Sequence, residues 1–361
     1  MIVDARAEAW ARLQLAGLPP RALFDLLRAF GSPRGVLDAT PAQRRRHAHP
    51  DAALLDAAPE TARLDATLAW LREPGHDLVA WDDPGYPRAL LEIADPPPVF
   101  YAQGRRALLA GPGFAIVGSR NATPQGCEDA EAFAAALSAA GFTIVSGLAQ
   151  GIDAAAHRGG LRHAASSIAV IGTGPDRIYP ARNRDLAHEL AAKGLVISEF
   201  APGTPPLKQN FPRRNRLVSG LSRGVLVVEA TLSSGSLITA RLAAEQGREV
   251  FALPGSIHSP FSKGGHRLIR DGAKLVENAQ DVLSELGATA PRARETRADD
   301  PPPADPVHAR VLDAMGRGPV DLDRLVTRTG LGADTLAATL VHLQLEGRVS
   351  ALQGGGWQRL R

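Results

Sequence analysis

The sequence FAIVGSR, residues 114–120, decides the fold of this chain, because an unbroken apolar run ends in a small turn that carries a cation. Residues 142–145, 168–171 and 225–228 are similar runs, and they lead into Ser146-Gly147, Gly172-Thr173-Gly174 and Glu229-Ala230, with Ser233-Ser234-Gly235-Ser236 just beyond. Short β-branched runs separated by helix-length segments are typical of a parallel sheet buried on both faces. The carboxyl ends of such strands share one edge, where loops and helix N-termini favour anionic ligands. The sequence therefore predicts an α/β fold, an extended Rossmann-like parallel sheet whose loops hold phosphate.

Length and composition limit the class of protein. The 361 residues predict two or three domains, and 44% of them are hydrophobic, as in a well-packed globular chain. No apolar run reaches the roughly 18 residues that a membrane span requires, and the polar start does not resemble a signal peptide. The single cysteine, Cys127, excludes an internal disulfide and argues against a Cys-based metal site. We therefore expect a cytoplasmic protein with no membrane partner.

The chain divides into four regions. Residues 1–75 read as short helices broken by Gly and Pro turns, which predicts an N-terminal all-α domain of the SAM or helix-hairpin-helix type. Such modules contact DNA backbones or proteins, and a packing role is an equally open interpretation. Residues 80–288 form the Rossmann-like domain. Residues 289–306 contain five prolines and no large apolar residue, which predicts an extended linker.

Residues 307–361 have the pattern of a winged helix. Apolar positions predict a helix that stops at Gly316, a second that Asp321 caps, and a third over residues 334–346, followed by a two-strand wing. Winged helices commonly bind duplex DNA. However, the third helix, which would read the groove, contains no Lys or Arg. A protein-contact or structural role is therefore at least as well supported as duplex recognition.

The distribution of charge is more informative than its total. Formal net charge is only +3, but no acidic residue lies between Glu199 and Glu229, a stretch with five basic residues. A second acid-free stretch includes Lys263, Arg267 and Arg270. Basic runs are usually solvated surface, but both of these border the predicted strand-end loops. We therefore interpret them as part of an anion-binding groove.

The individual motifs are weak signals. In Gly118-Ser119-Arg120 the glycine permits close approach of a ligand, the serine supplies a hydroxyl, and the arginine supplies a fork for phosphate. No Walker-type phosphate loop occurs, which argues against a nucleotide motor. Asp153 and His157 are four residues apart and could imitate a metal site, but a third ligand is lacking. Helix capping and support of the loops are the better interpretation of that pair.

The order of the motifs is specific. Residues 115–120, 146–157, 169–174, 179–183, 211–216, 227–236, 254–256 and 264–269 follow one another in a series that strongly resembles the bacterial DNA-processing protein A family, also called Smf. The resemblance covers the whole central domain, nearly two hundred residues, and the flanking modules resemble those of the family's longer members. It implies a protein that binds single-stranded DNA, loads the RecA recombinase onto it and protects incoming DNA during natural transformation. It also implies a homodimer without an obligatory cofactor, with single-strand binding protein as a further candidate partner.

The resemblance also assigns site residues. The family's phosphate-gripping motif corresponds to Gly118, Ser119 and Arg120, and its Phe-x-x-Arg-Asn segment to Phe211, Arg214 and Asn215, where the ring would stack on a base. Tyr179 and Phe261 are weaker candidates for stacking. The complete predicted single-strand site is Gly118, Ser119, Arg120, Ser146, Gly147, Gly172, Arg182, Lys208, Phe211, Arg213, Arg214, Asn215, Ser234, Gly235, Ser236 and Lys263.

Two other functions compete with this one. Related Rossmann enzymes, the lysine-decarboxylase-like phosphoribohydrolases, cleave nucleoside monophosphates and carry a Pro-Gly-Gly-x-Gly-Thr loop followed by a helical Glu. Here the corresponding turn is Thr231 to Ser236 and the nearest helical glutamate is Glu245, so a carboxylate for acid–base chemistry is lacking. We interpret Glu229 as a strand-end residue that orders hydrogen-bond donors in the groove. A transcription factor that acts through residues 307–361 is the third hypothesis. We expect a non-enzymatic recombination mediator.

Overall fold

The computed structural model describes residues 4–47, 50–57, 61–288, 305–316, 318–352 and 355–360. The predicted linker, residues 289–306, falls mostly outside the described residues. Within them, no helix combines the length and the apolar composition that crossing a membrane would demand.

The N-terminal region is helical, as the sequence predicts. Its α-helices are α1 (Ala5–Leu15), α2 (Pro20–Phe30), α3 (Pro33–Asp38), α4 (Pro41–His47) and α5 (Thr61–Leu71). The turn after α1 contains Gly17 with a φ of 73°, and Pro20 opens α2, where a missing N–H costs no hydrogen bond. Trp10, Leu13 and Leu26 are fully buried. They share one hydrophobic cluster with residues of the first two strands, so these helices pack directly on the edge of the sheet.

A mostly parallel sheet forms the centre of the molecule. In the described part of the chain it has nine strands: β1 (His76–Ala80), β2 (Val99–Gly104), β3 (Gly113–Val117), β4 (Thr143–Ser146), β5 (Ser167–Ile171), β6 (Leu195–Ser198), β7 (Ser222–Val227), β8 (Glu249–Ala252) and β9 (Lys274–Leu275). The spatial order is β1-β2-β6-β5-β4-β3-β7-β8-β9. Strands β1 and β2 pair antiparallel, as do β2 and β6, and the remaining pairs are parallel. The expected Rossmann-like sheet is thus confirmed, with an antiparallel edge that the apolar runs did not indicate.

Alternate side chains of β3 enter two separate cores. Phe114 and Ile116 pack in a cluster with side chains of one helical layer, and Ala115 and Val117 pack in the cluster on the opposite face. A strand covered on both faces needs apolar residues at every position, which is why this run is unbroken.

Helices cover both faces of the sheet. They are α6 (Arg88–Leu91), α7 (Pro124–Ala139), α8 (Ile152–Gly160), α9 (Arg184–Lys193), α10 (Asn210–Gly220), α11 (Ser236–Glu245), α12 (Lys263–Arg270) and α13 (Ala279–Glu285). From β3 the chain proceeds outward through β4, β5 and β6, and it then returns to place β7 on the other side of β3. The strand order therefore reverses between β3 and β7. Open α/β sheets bind ligands in the crevice at such a switch point.

The C-terminal region is a winged helix. Its elements are α14 (Pro306–Met315), β10 (Val320–Asp321), α15 (Leu322–Thr329), α16 (Ala333–Leu345), β11 (Val349–Ala351) and β12 (Gly356–Arg359). The Asp321 side chain accepts a hydrogen bond from the Arg324 amide. Asp321 is therefore the N-cap of α15, the second helix of this region, as the sequence predicts. Leu325, Leu336 and Leu340 belong to a hydrophobic cluster made only of residues from this region. The wing has a third strand, since β10 pairs with β12.

Candidate functional site

A cavity of about 720 Å³ opens at the carboxyl edge of the sheet, at the switch point between β3 and β7. Loops that follow β3, β4 and β7 line it together with the first turns of α10 and α11. Its lining residues are Val117, Gly118, Ser119, Arg120, Asn121, Gly147, Ala149, Asp153, Tyr179, Pro206, Lys208, Phe211, Pro212, Arg214, Asn215, Val218, Thr231, Ser234, Gly235, Ser236, Ile238, Thr239 and Phe261. Three of these are cationic and one, Asp153, is acidic. The cavity therefore presents an electropositive wall to an anionic ligand.

The loop after β3 presents Arg120 to solvent. The Ser119 side chain is turned to its own loop, where its hydroxyl accepts a hydrogen bond from the Asn121 amide at 3.1 Å. The Arg120 side chain is exposed, and its guanidinium carbon lies 5.8 Å from the centre of the Phe211 ring. A guanidinium at this distance from an aromatic face is attracted by the ring quadrupole. Arg120 is thus held beside the cavity with its hydrogen-bond donors available to a ligand.

Phe211 sits between a glycine and a second aromatic ring. A Cβ atom added to Gly172 would lie 3.0 Å from the Phe211 ring, so the ring packs on the backbone at that position. The ring of Tyr179, which is 46% exposed, lies 5.5 Å from that of Phe211 at an interplanar angle of 42°. These two rings and Arg120 form a group, here called the aromatic platform. It provides flat apolar surface next to a positive charge.

One face of α10 lines the cavity. Phe211, Arg214, Asn215 and Val218 are spaced by three or four residues, which places them on the same side of a helix. The opposite side is anchored in the core by Leu217, which is fully buried. The N-terminal turn of α10 is fixed by Asn210, whose side-chain amide donates to the Gly172 carbonyl at 3.1 Å. The helix therefore presents its positive N-terminal end together with the ring of Phe211.

Arg214 lies in the floor of the cavity. It is 5% exposed, and its guanidinium donates to the main-chain carbonyl of Val170. Burial lowers the pKa of Arg214 to about 10, although the Asp153 carboxylate favours the charged form. A side chain at Gly147 would collide with this group, because an added Cβ would lie 2.0 Å from Nη1. Glycine at 147 is thus required by the close approach of Arg214.

Glu229 holds the loop after β3 through hydrogen bonds to Thr123. Its carboxylate accepts hydrogen bonds from the Thr123 amide at 2.9 Å and the Thr123 hydroxyl at 2.6 Å. Thr123 is the N-cap of α7 and accepts from the Gly126 amide. Burial raises the pKa of Glu229, and the two bonds from Thr123 oppose that change. Glu229 is not among the residues that line the cavity, and its role in ordering the donors of the groove stays a prediction.

The turn before α11 forms the opposite rim. The hydroxyls of Ser234 and Ser236 are 2.7 Å apart, and Gly235 is exposed between them. Nothing lies within 4 Å of a Cβ added to Gly235, so this turn has open space in front of it. Hydroxyls at a helix N-terminus are suited to phosphate oxygens.

The structure brings most of the predicted site residues to this cavity. Those that line it are Gly118, Ser119, Arg120, Gly147, Lys208, Phe211, Arg214, Asn215, Ser234, Gly235 and Ser236. Gly172 lies directly behind the aromatic platform. Arg182 is exposed near the loop after β4, with its guanidinium 3.5 Å from the Gln150 side chain.

Three further predicted residues are engaged elsewhere. The Ser146 hydroxyl is buried and donates to the Ile116 carbonyl at 2.7 Å. Arg213 pairs with Glu199 at 3.3 Å, and the Lys263 ammonium donates to the Ile257 carbonyl at 2.5 Å. These side chains meet protein partners that the sequence pattern does not show.

Several lining residues were not predicted from the sequence. Asn121, Thr231, Ile238 and Thr239 continue the loops and the helix α11 that carry predicted residues. The helical spacing of Val218 from Asn215 would have identified its place on α10. The prediction that Asp153 caps α8 is wrong, because the N-cap is Gly151, without a side-chain cap. The Asp153 Oδ2 instead accepts hydrogen bonds from the amides at 147 and 149 in the preceding loop, which is the predicted support of the loops. Among the described residues, no group of three or more His, Cys, Asp or Glu is arranged to hold a metal ion.

Comparison with known proteins identifies the family. A family model described as DNA recombination-mediator protein A matches residues 77–287, and a DprA winged helix domain model matches residues 295–355. Protein Smf of Escherichia coli strain K12 is 41% identical over 304 residues, which cover 82% of this chain and 81% of that protein.

Solved structures give the same answer. The X-ray structure of DNA processing protein A from Streptococcus pneumoniae aligns with a TM-score of 0.66 and 38% identity, covering 79% of this chain and 99% of that one. A structure from Helicobacter pylori, described as giving insights into the single-stranded DNA binding mode of its DNA processing protein A, aligns with a TM-score of 0.53 and 33% identity, covering 58% and 95%. The chain belongs to the DNA-processing protein A (DprA/Smf) family of DNA recombination mediators.

Proposed function

We propose that this protein binds single-stranded DNA in the cavity between β3 and β7, loads RecA onto that DNA and protects it during natural transformation. The observation that carries the proposal is the aromatic platform, which contains Arg120, in a cavity that Lys208 and Arg214 also line. Single-strand binders combine a basic track with rings on which bases stack, at about 1–3 kcal/mol per base. The single-strand binding mode described for the Helicobacter pylori relative supports the same ligand.

The rim residues are the proposed phosphate contacts. Arg120 and Lys208 are exposed cations, and the Ser234 and Ser236 hydroxyls stand at the start of α11. Arg182 would extend the track past the loop after β4. With few rings available, we expect binding dominated by phosphates, tolerant of sequence and sensitive to salt. The other predicted site residues would support these contacts through the loops that carry them.

The proposed partners follow from family membership. RecA is the recombinase that would receive the DNA, single-strand binding protein is a further candidate, and a homodimer is the proposed assembly. The proposed location is the cytoplasm, where these partners act. No cofactor is part of the proposal.

We propose no catalytic step. The phosphoribohydrolase alternative needs a carboxylate that reaches a sugar in the cavity. The Glu229 carboxylate is bonded to Thr123, and that of Glu245 pairs with Arg241 at 2.8 Å. Asp153, the acidic lining residue, is held by two main-chain amides. These engagements favour a binding protein over a hydrolase.

The test is fluorescence anisotropy of the wild type and Arg120→Ala with single-strand and duplex oligonucleotides of equal length, across a salt series. We expect a preference for the single strand, a steep decrease of affinity with salt, and a loss of about 1–3 kcal/mol in the variant, as for a charge-assisted contact. Weak binding or a preference for duplex that is insensitive to Arg120 would contradict the proposal. A release assay with nucleoside monophosphates would then test the hydrolase alternative.

A further inference from the structure

The loop at residues 147–149 is bonded to buried side chains rather than open to a ligand. The Gly147 and Ala149 amides both donate to Oδ2 of Asp153, at 3.1 and 3.3 Å. The Leu148 amide between them donates to Nε2 of His157 at 3.2 Å. Successive amides of this kind often form an anion-binding concavity. Here the chain's own carboxylate and imidazole occupy it, so this loop does not offer its amides to a phosphate.

Leu148 adopts a conformation that requires such support. Its φ is 58°, in the left-handed region that residues other than glycine rarely adopt. The side-chain amide of Asn183 donates to the Leu148 carbonyl at 3.0 Å and to the Ala149 carbonyl at 3.1 Å. Both polar main-chain groups of Leu148 are therefore bonded to side chains. Backbone strain persists where the surroundings over-determine it, as they do here.

The hydrogen bonds fix the protonation of His157. Its Nε2 accepts from the Leu148 amide, so Nδ1 must carry the proton and donate to the Ser167 hydroxyl, 2.7 Å away. That hydroxyl in turn donates to the Ile144 carbonyl at 2.8 Å. Burial lowers the pKa of His157 to about 3, which agrees with a neutral ring. His157 is thus a fixed acceptor at the back of the loop.

The loop is coupled directly to the one that carries Arg120. The Ile152 amide donates to the Ser119 carbonyl at 3.2 Å. Gly151, with a φ of 73°, approaches so closely that an added Cβ would lie 2.3 Å from the same oxygen. A displacement of residues 147–151 therefore displaces Ser119 and Arg120 as well.

We propose that Asp153, His157 and Asn183 are positioning residues: they lock residues 147–149 in place and, through Gly151 and Ile152, set the position of Arg120 at the cavity. The hydrogen bonds of Asp153, His157 and Asn183 to residues 147–149, here called the lock, are a property of the free protein. Their effect on the affinity for DNA rests on the proposed function.

The first arm of the test requires no DNA. Asn183→Asp is nearly isosteric but turns a carboxylate toward two carbonyls, and His157→Phe removes the acceptor for the Leu148 amide. Hydrogen–deuterium exchange of the full chain is followed in peptides that span residues 147–152 and 118–123. The second peptide contains the amides of Asn121 and Thr123, which are hydrogen-bonded and hence protected. We expect the exchange rate to increase by about tenfold or more in both peptides. A tenfold increase in rate requires only a modest loss of local stability.

The matched control is Ser138→Ala. The Ser138 hydroxyl is buried and donates to the Gly160 carbonyl at the far end of α8, so its loss also removes one buried hydrogen bond near that helix. We expect wild-type exchange in both peptides. Unchanged exchange at 118–123 in the Asn183 and His157 variants would overturn the proposal. If Asn183→Asp does not fold, Asn183→Ala removes the same donor without adding charge.

The second arm measures single-strand affinity of the folded variants by anisotropy. We expect Asn183→Asp and His157→Phe to lose about tenfold, similar to one weakened charge-assisted contact, and the control to lose nothing. His157→Gln, which keeps an acceptor, should retain most of the affinity. Accelerated exchange with wild-type affinity would overturn the positioning role. If the wild type itself does not bind, the proposed function fails, and the exchange arm alone decides whether the lock exists.

Discussion

The rim and the floor of the cavity each contain an arginine, and the two side chains are held in opposite ways. Arg120 on the rim is exposed, with its guanidinium beside the Phe211 ring. Arg214 on the floor is buried against Gly147 and donates to the Val170 carbonyl. A charge that already has protein partners shapes a site, whereas an exposed charge can exchange water for ligand at little cost. We expect the floor residue to determine the folding stability of the protein and the rim residue to determine its affinity for single-stranded DNA.

The largest effect is expected for Arg214→Met. Its loss removes the favourable charge that Arg214 supplies to the buried Asp153 carboxylate, and leaving a buried charge uncompensated typically costs about 3–5 kcal/mol. Urea unfolding of the full chain measures this change. Arg120→Met is the matched substitution on the rim and should alter stability by less than about 0.5 kcal/mol.

A double variant sharpens the result. Asp153→Asn added to Arg214→Met removes the orphaned charge and should restore part of the lost stability. Equal stability losses for Arg214→Met and Arg120→Met would remove the distinction between floor and rim.

The aromatic platform should contribute next. Phe211→Ala is expected to weaken single-strand binding by about 1–3 kcal/mol, the usual value of one stacked base. An oligonucleotide with abasic sites separates stacking from phosphate contact: it should abolish the Phe211 effect and leave the Arg120 effect intact. If the Phe211 penalty persists on abasic DNA, the ring supports the fold of α10 rather than a base.

The stability of the protein should also respond to acid through His157, which lies behind the loop at residues 147–149. Its pKa is 6.5 in a solvated chain and about 3 in the folded protein, so below pH 6.5 the unfolded chain binds a proton that the folded one does not. Stability is therefore lost as pH falls, by about 1.4 kcal/mol per pH unit. Burial raises the pKa of Asp153, which acts in the opposite direction.

Comparison with His157→Gln isolates the histidine, because Asp153 is present in both proteins. Urea unfolding between pH 7.5 and 5 measures the difference. The wild type should lose about 2 kcal/mol relative to the variant between pH 7.5 and 5, most of it below pH 6.5. A difference that is constant with pH would mean that His157 titrates normally in the folded protein.

The sequence was a reliable guide wherever a pattern depends on burial alone. The run at residues 114–117 must be apolar at every position because both faces of β3 are covered, and the edge at which its loop emerges then follows from the parallel topology. The same reasoning located the loops after β4, β5 and β7. The helices of the winged region could be predicted because their caps and glycine stops are local signals.

The state of each polar side chain could not be predicted in this way. Ser146 ends β4 and Ser234 lies in the loop after β7, but the first is bonded to Ile116 on the neighbouring strand and the second stands on the rim. Arg213 and Arg214 are adjacent in sequence and meet Glu199 and Val170, which are distant in sequence. Only the tertiary fold brings these partners together, so no local sequence pattern indicates them. The antiparallel edge β1–β2 was missed for a related reason, because it is covered by the N-terminal helices rather than by crossover helices.

The smallest effect is expected for deletion of residues 300–361. The hydrophobic cluster of the winged helix contains only residues of that region, and none of the tail residues that the structure describes lines the cavity. Its third helix, α16, carries no Lys or Arg that could add phosphate contacts. Single-strand affinity of the truncated chain should therefore remain within about twofold of the wild type, the scale of a surface change remote from the site. A collapse of anisotropy in this truncation, with the sheet still folded, would place the main DNA contact on the tail and leave the cavity without its proposed ligand.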